Sequence, residues 1–479
     1  MLRPPSSALL DSLESLLGPR GFSRDLDLLE PWLSDWRGRY RGRAAALLSP
    51  ASAAEVQSIV ACCAEARVAL VPQGGNTSMV GGATPAAEGR SLLLSLRRMN
   101  SVRSVSSEDN VAVAEAGVVL SDLHDAAATA GRRFPLSLGA KGSATIGGLV
   151  STNAGGTQVL RFGPMRSLVV GLEAVLPDGS RLDGLSALRK DNRGYDLKQL
   201  LIGAEGTLGV VTAASLKLVA APGSRSVAWV GLKSPAAALL LLRRLETRLG
   251  EAVESFELVP QDVLVLVLAS IPGTRAPLAA AHRWNVLVES VAPEGAREAG
   301  EALQEALAGA LEEGLAEDAL VAASEAQAAA LWRLRESIAE AERMNGPSVK
   351  HDVSVPVSAM PAFIERAKAA VETRFEGARV VAFGHLGDGN VHFNVQPPAP
   401  VEGGAEVWLA AQAAAVTRLV HDLVGESGGS ISAEHGIGQS KIDELARTAQ
   451  PARLAALRAI KQALDPAGIM NPGKLLPSL

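Results

Sequence analysis

Two histidines in one short β-type segment, and a third that directly follows a glutamate, are the side chains best suited to do chemistry in this sequence. His385 and His392 stand in Val380-Val-Ala-Phe-Gly-His-Leu-Gly-Asp-Gly-Asn-Val-His-Phe-Asn-Val395. Gly387-Asp-Gly-Asn390 is a turn signal between two apolar runs. The segment therefore predicts a hairpin that brings the two imidazoles near each other across the turn. His392 and Asn394 then share one strand face, with Phe393 and Val395 on the other. Farther on, Ser432-Ala-Glu-His-Gly-Ile-Gly438 supplies Glu434 and His435. A carboxylate with two imidazoles is a common zinc or manganese set that leaves positions open for substrate. Spacing alone does not bring residue 434 to residue 385. His124, His282 and His421 have no such company and read as surface or satisfied core residues.

A second chemistry is written in glycine. Pro72-Gln-Gly-Gly-Asn-Thr-Ser-Met-Val-Gly-Gly82 directly follows a predicted strand. Paired glycines separated by polar residues present several backbone N–H groups in a tight loop, which suits a pyrophosphate. Ser137–Gly148, Thr152–Gly156 and Ile202–Gly209 have the same character. Any one of them reads equally well as a structural turn; four within one domain do not. No G-x-G-x-x-G follows a strand, which disfavours a nicotinamide site of Rossmann type.

These groups need a scaffold, and the chain is long enough to supply one. Its 479 residues, 47% hydrophobic, predict two or three compact units. Helical spacing appears at 9–17, capped by Asp11 or nearby serines, and at 53–66, capped by Ser52. Short strands at 68–72, 92–96 and 111–116 follow, among the glycine clusters. Ala220–Gly223 marks a boundary. Beyond it helices are expected at 236–249, 296–313 and 323–343, strands at 226–232, 263–269 and 285–291, β character at 379–396, a loop at 397–405, and helices in the last forty residues. A net charge of −5 and 3% aromatics argue against nucleic acid. Cys62 and Cys63 are adjacent and read as reduced and buried, which suits a cytoplasmic protein. The N-terminus lacks a signal-peptide pattern, and no apolar run is long enough to span a membrane.

Taken in order, Pro72–Gly82, Leu138–Gly156, Arg189–Lys198 and Ile202–Thr212 resemble the FAD domain of the vanillyl-alcohol oxidase and p-cresol methylhydroxylase superfamily. Within it the chain is similar to D-2-hydroxyglutarate dehydrogenases and FAD-linked D-lactate dehydrogenases. The resemblance implies an α+β fold: a two-subdomain PCMH-type FAD-binding domain at 1–222, then a substrate (cap) domain with an antiparallel sheet and the metal site at 223–440. A helical C-terminal segment, 441–479, returns to the FAD domain. It further implies FAD contacts from Pro72, Gln73, Gly74, Gly75, Asn76, Thr77, Ser78 and Gly82, from Leu138, Gly139, Gly142, Ser143, Thr145, Gly147 and Gly148, from Asn153 and Gly155, and from Glu205, Gly206, Val211 and Asn471. Asn76 stands where some members attach flavin through a histidine, so the FAD is expected to be non-covalent.

The implied reaction is oxidation of a D-2-hydroxy acid, with hydride passing to flavin N5. His385, His392 and Glu434 are the implied ligands of a divalent metal, zinc with manganese as the alternative, and His435 the implied base. Gly436 and Gly438 would leave room for flavin or substrate. Arg335 and Lys350 match substrate-binding positions, and Asn394 joins them. Two departures touch the substrate: Ala339 replaces a threonine usual in the hydroxyglutarate enzymes, and His351 replaces an aromatic. Rival readings are a flavin oxidase, a non-redox flavin enzyme of the same fold such as an alkylglycerone-phosphate synthase, a non-catalytic flavin-binding subunit, and a metal-dependent hydrolase. Expected partners are the small hydroxy acid and an electron acceptor such as an electron-transfer flavoprotein, a quinone or a cytochrome; a homodimer stays open.

Overall fold

The computed structural model describes residues 2–400 and 403–477, so the expected loop at 397–405 falls partly outside the described residues. The chain divides into two compact units. The first runs up to Gly156 and includes Gly163–Ala221 and the chain from Glu434 onward; the second holds Thr157–Phe162 and Pro222–Ala433. The second unit thus ends seven residues before the expected 440. The reason is local: the Glu205 carboxylate accepts the backbone N–H groups of Ile437 and Gly438 at 2.8 and 2.7 Å, which holds that loop in the first unit. Thr157–Phe162 joins the second unit because Ser255 Oγ donates to the Thr157 carbonyl at 2.9 Å and Arg161 pairs with the buried Glu254.

In the first unit a four-stranded sheet has the order Phe22–Ser23, Leu47–Leu48, Ser91–Ser95, Ala69–Gln73, and its last three strands are parallel. Helix Ala53–Ala66 packs Val56, Ile59 and Val60 against Leu70, Leu92 and Leu94 of this sheet. Ser52 Oγ accepts from the Glu55 N–H, the expected cap. The first helix, Ser7–Gly21, is capped by Ser6 and not by Asp11. A second sheet is antiparallel, in the order Val102–Ser106, Val111–Glu115, Val210–Lys217, Val169–Val175, Arg181–Gly184. The C-terminal segment closes on this unit. Lys461 Nζ donates to the carbonyls of Thr207 and Met470 at 2.7 and 2.9 Å.

The second unit is a seven-stranded antiparallel sheet. Its strands are β1 (Ser224–Leu232), β2 (Val253–Pro260), β3 (Trp284–Ala292), β4 (Asp318–Val321), β5 (Val349–Ser354), β6 (Arg379–His385) and β7 (Asn390–Gln396), in the spatial order β4-β1-β3-β2-β6-β7-β5. Alternation along each strand sorts its residues between two faces. One face carries Val286, Phe256, Leu258, Val391 and Phe393 into a core shared with residues of helices Pro235–Leu249, Ala299–Glu312, Met360–Arg374 and Ala405–Glu426. The other carries Trp229, Leu287, Val259 and Phe383, which pack with residues of helices Gln261–Ser270, Glu325–Glu336 and Ile338–Met344.

Two sequence expectations change here. Residues 263–269, expected as a strand, lie in helix Gln261–Ser270. The apolar run fits either structure, but burial at Val263, Leu264 and Val267 with Val265 at 53% exposure is a helical pattern. The helix expected over 323–343 breaks at Ser337 into two.

Candidate active site

The glycine loops of the first unit converge. A Cβ on Gly74 would lie 2.3 Å from Thr145 Oγ1, and one on Gly75 would lie 1.9 Å from the Ser143 carbonyl oxygen, so these loops pack backbone to backbone. Gly206 lies against the Pro72 ring. Asn471 Nδ2 donates to the carbonyls of Gly82 and Glu205 at 2.9 and 2.7 Å. The segments holding Pro72–Gly82, Ser143–Gly148, Glu205–Gly206 and Asn471 are therefore brought together. Gly139 and Gly142 face open space. Among the described residues, Thr145 Oγ1 and Asn471 Oδ1 are buried polar atoms with no hydrogen-bond partner in the protein. Open glycine surface beside unsatisfied buried acceptors is what a polar cofactor would fill, so these residues fit FAD. Asn76 adopts φ +53° and its amide donates to the Ser34 carbonyl at 2.8 Å. Asn153 takes a similar left-handed conformation and accepts the Arg166 N–H. Val211 is buried in the five-stranded sheet opposite Ala174, and Gly147 lies against Ala116.

Glu205 has a role the sequence did not reveal. It is buried, and both carboxylate oxygens hold the loop that follows His435. Burial pushes its carboxyl above the ordinary value; the two N–H groups, and then Lys441 and Lys474, offset this only in part. The glycines of that loop pack tightly on the side where a Cβ would stand. A Cβ on Gly436 would meet Glu205 Oε1 at 2.8 Å, and one on Gly438 would meet the Val80 carbonyl at 2.2 Å. Gly436 thus fits against Glu205 and Gly438 against Val80. His435 Nε2 lies 3.9 Å from Glu434 Oε1.

In the second unit, strand pairing builds the other half of the chemistry. His385 pairs with Asn390 and His392 with Phe383 across β6 and β7, and the two imidazoles stand 5.6 Å apart, centroid to centroid. Lys350 lies opposite Asn394 and Asp352 opposite His392 on β5. Directly opposed residues share a face, so Lys350, Asp352, His392 and Asn394 all lie on the face that carries Phe383. Phe393 belongs to the opposite core, as the alternation predicts.

Three carboxylates organise the part of this face around the two histidines, and none of them stands out in the sequence. Glu257 of β2 is fully buried. Its Oε1 accepts from His385 Nδ1 at 2.7 Å, and its Oε2 accepts from Arg335 Nε and Nη2, each at 2.8 Å. Glu342 takes Asn394 Nδ2 on both oxygens, at 2.9 and 2.8 Å, and lies 3.5 Å from Lys350 Nζ. Asp352 accepts from Asn390 Nδ2 at 2.9 Å. Burial alone would lower the His385 pKa, but Glu257 outweighs it and holds it at about 9. Glu257 is likewise held below the ordinary range, its burial outweighed by His385 and Arg335. With Nδ1 committed to Glu257, His385 can offer Nε2 to a metal that displaces its proton, the arrangement in which a carboxylate orients a metal-binding histidine. The donor set fits a divalent metal. Arg335 also lies over the Phe383 ring at 5.1 Å, and that ring is 5.0 Å from His392.

Ala433 N–H donates to the Asp352 carbonyl at 3.3 Å, and Glu434 is the next residue. His351 lies on the other face. Its Nδ1 donates to the Phe393 carbonyl at 2.8 Å, and its ring meets His421 edge-on at 5.7 Å. His124 bonds the Leu136 carbonyl, the satisfied role expected of it, and His282 bonds Glu317 through Nδ1, with Asp318 Oδ2 3.7 Å from its Nε2.

Residues 221–475 match the family model of FAD linked oxidases, C-terminal domain, and residues 44–184 match an FAD binding domain. The chain belongs to the FAD-linked oxidase family. Over 480 residues it is 36% identical to the D-2-hydroxyglutarate dehydrogenase, mitochondrial, of Arabidopsis thaliana, covering 99% of this chain and 83% of that protein. With the Bos taurus protein of the same name it shares 40% identity over 95% of this chain and 81% of the other. Among solved structures, p-cresol methylhydroxylase with substrate bound superposes with a TM-score of 0.75 at 16% identity, over 99% of this chain and 98% of that one, a likeness of fold. Within this FAD-linked oxidase the FAD-binding segment contains the glycine loops up to Gly156, and the C-terminal domain contains every histidine and carboxylate of the polar sheet face. Among the described residues no helix is long and apolar enough to cross a membrane.

Proposed function

We propose that the protein is an FAD-dependent dehydrogenase that oxidises a D-2-hydroxy acid to the 2-oxo acid. The observation that carries this reading is its 36–40% identity, over nearly the whole chain, with D-2-hydroxyglutarate dehydrogenases. FAD, when bound, accepts the hydride from C2 of the substrate. The loops at 72–82, 138–148 and 205–211 with Asn471 would hold it non-covalently, since Asn76 occupies the attachment position. His385, His392 and Glu434 would hold a divalent metal, zinc by preference, which lowers the pKa of a coordinated oxygen.

The chain's own residues supply the rest. His435 accepts the hydroxyl proton, and the Glu205 clamp on the backbone after it limits how far that imidazole wanders. Arg335 offers its remaining N–H groups to the substrate carboxylate, its fork already oriented by Glu257. Asn394 and Lys350 border the same face. The electron acceptor is an electron-transfer flavoprotein or a quinone. The free cysteines Cys62 and Cys63 support a cytoplasmic location.

A dye-reduction screen of the FAD-loaded protein over paired D- and L-2-hydroxy acids tests the reading. Turnover of D-acids with the dye, with slow turnover in oxygen alone, is expected. Oxygen serving as well as the dye makes it an oxidase, and no turnover of any D-2-hydroxy acid refutes the proposal.

A further inference from the structure

Around His385 and His392, on the polar face of the seven-stranded sheet, Arg335 and Lys350 carry positive charge, and Glu257, Glu342 and Asp352 carry negative charge. Each cation is seated on a carboxylate of its own. Arg335 is held at 2.8 Å by Glu257. Lys350 lies 3.5 Å from Glu342, whose side chain is 1% exposed. Glu342 is also fixed from the strand side, because both of its oxygens accept from Asn394 Nδ2. It comes from helix Ile338–Met344, one turn after Ala339, the position where the sequence departs from the hydroxyglutarate pattern.

We infer that Glu342 is a specificity-determining residue that neutralises Lys350 and makes this a dehydrogenase for monocarboxylic D-2-hydroxy acids. The inference rests on the dehydrogenase reading above. A substrate with one carboxylate brings one negative charge, for which Arg335 is the oriented partner. A dicarboxylate brings a second, and the remaining cation is already compensated by a buried acid. A second carboxylate near Lys350 would also approach Glu342, and two like charges in a site of low dielectric repel strongly. An apolar tail suffers neither cost. Asn394, donating through Nδ2 to Glu342, keeps only its carbonyl oxygen as an acceptor, which again disfavours an anionic tail and tolerates a neutral one.

The test compares two substrates of equal length, D-2-hydroxyvalerate and D-2-hydroxyglutarate, which differ by a methyl in place of a carboxylate. For the FAD-loaded wild type, kcat/KM is expected to favour the monocarboxylate by about tenfold or more, the worth of a single charge-assisted hydrogen bond. Glu342→Gln keeps the shape and a hydrogen-bonding oxygen for Asn394 but removes the charge. It should shift the ratio toward the dicarboxylate by about tenfold, mainly through a lower KM for hydroxyglutarate. Adding Lys350→Met to that variant should abolish the shift. A wild-type preference for hydroxyglutarate overturns the assignment and leaves the dehydrogenase reading standing, and this arm needs no variant to fold. An unchanged ratio in a Glu342→Gln enzyme that retains FAD and metal overturns it as well. If neither acid, nor any other D-2-hydroxy acid, is oxidised, both readings fall together.

Discussion

The two units carry their chemistry in opposite ways. In the first, the segments gathered around Gly74, Gly75, Thr145 and Asn471 are loops with little side-chain bulk, and what they present is mainly backbone. In the second, the polar face is built from regular strands and the helices packed on them, and what it presents is long charged side chains fixed by one another. Backbone presentation demands that nothing intrude, so the loops are sensitive to added volume. Side-chain presentation demands that each charge be answered, so the sheet face is sensitive to a change of charge at constant volume. His435 combines the two: a working side chain on a glycine-flanked loop, held in place by the buried Glu205.

The largest effect expected is at that combined position. His435→Ala should lower kcat by roughly 10²–10⁴-fold while FAD and metal stoichiometry stay unchanged, as for loss of a general base. If His435 is instead a metal ligand, metal content falls together with activity. Flavin absorbance and elemental analysis on the same preparation separate the two.

The next two substitutions set the units against each other. Gly75→Ala places a methyl 1.9 Å from the Ser143 carbonyl oxygen, a clash of the new side chain with backbone that costs about 1–3 kcal/mol. FAD affinity, measured by fluorescence on reconstitution, should weaken by about 10–100-fold, with metal content unaltered. Glu257→Gln keeps volume and removes charge from the carboxylate that orients both His385 and Arg335. Metal affinity, measured by competition with a chelator, should fall by about 10–100-fold, FAD should stay bound, and KM should rise. If Gly75→Ala lowers metal affinity as much as FAD affinity, or Glu257→Gln releases FAD, the division of labour between loops and sheet face is wrong.

The same contrast explains what is legible in the sequence. Glycine clusters after strands are visible because their composition is unusual, and the 385–392 hairpin because Gly-Asp-Gly-Asn interrupts two apolar runs. Glu257 and Glu342 are invisible for the opposite reason: one of two acids in a mainly apolar strand, or an acid in a helix already rich in acids, resembles a solvated residue. The available signal is energetic. Glu257 stands in β2, where all eight residues are buried, so a strand assignment that reads Val253–Pro260 as core already requires a cationic partner for it. The helix at 261–270 passes for a strand because a run of alternating valine and leucine has no period of its own. Its direction of burial is set by the sheet beneath it. The role of Glu205 joins residues more than two hundred positions apart, and nothing local announces it.

The smallest effect concerns two buried carboxylates of the first unit whose surroundings differ. Glu173 is fully buried and bonded by Arg103, Arg181 and Thr212 Oγ1. Burial raises its pKa, but these partners, led by the Arg103 and Thr212 hydrogen bonds, outweigh that and hold it below the ordinary 4.5. Glu205 receives two backbone N–H groups and, among the described residues, no ion pair at contact distance, and it is raised. The signs follow by linkage. A depressed folded pKa gives stability that is complete above about pH 4.5 and is lost as pH falls through the folded value. A raised one gives stability that is lost as pH climbs from the unfolded value through the folded one. Glu173→Gln should therefore destabilise the FAD-loaded protein near pH 7 by about 1–2 kcal/mol, less than a fully buried pair would, because Arg103 and Arg181 are 32% and 39% exposed. That deficit should shrink as pH drops below 4.5. Glu205→Gln should show the opposite slope, its stability relative to wild type improving as pH rises above 4.5. Thermal midpoints of the three proteins from pH 3.5 to 7 measure both slopes. Parallel curves for the two variants would mean that the arginines around Glu173 and the backbone amides around Glu205 stabilise charge equally well, and the distinction drawn between them would fail.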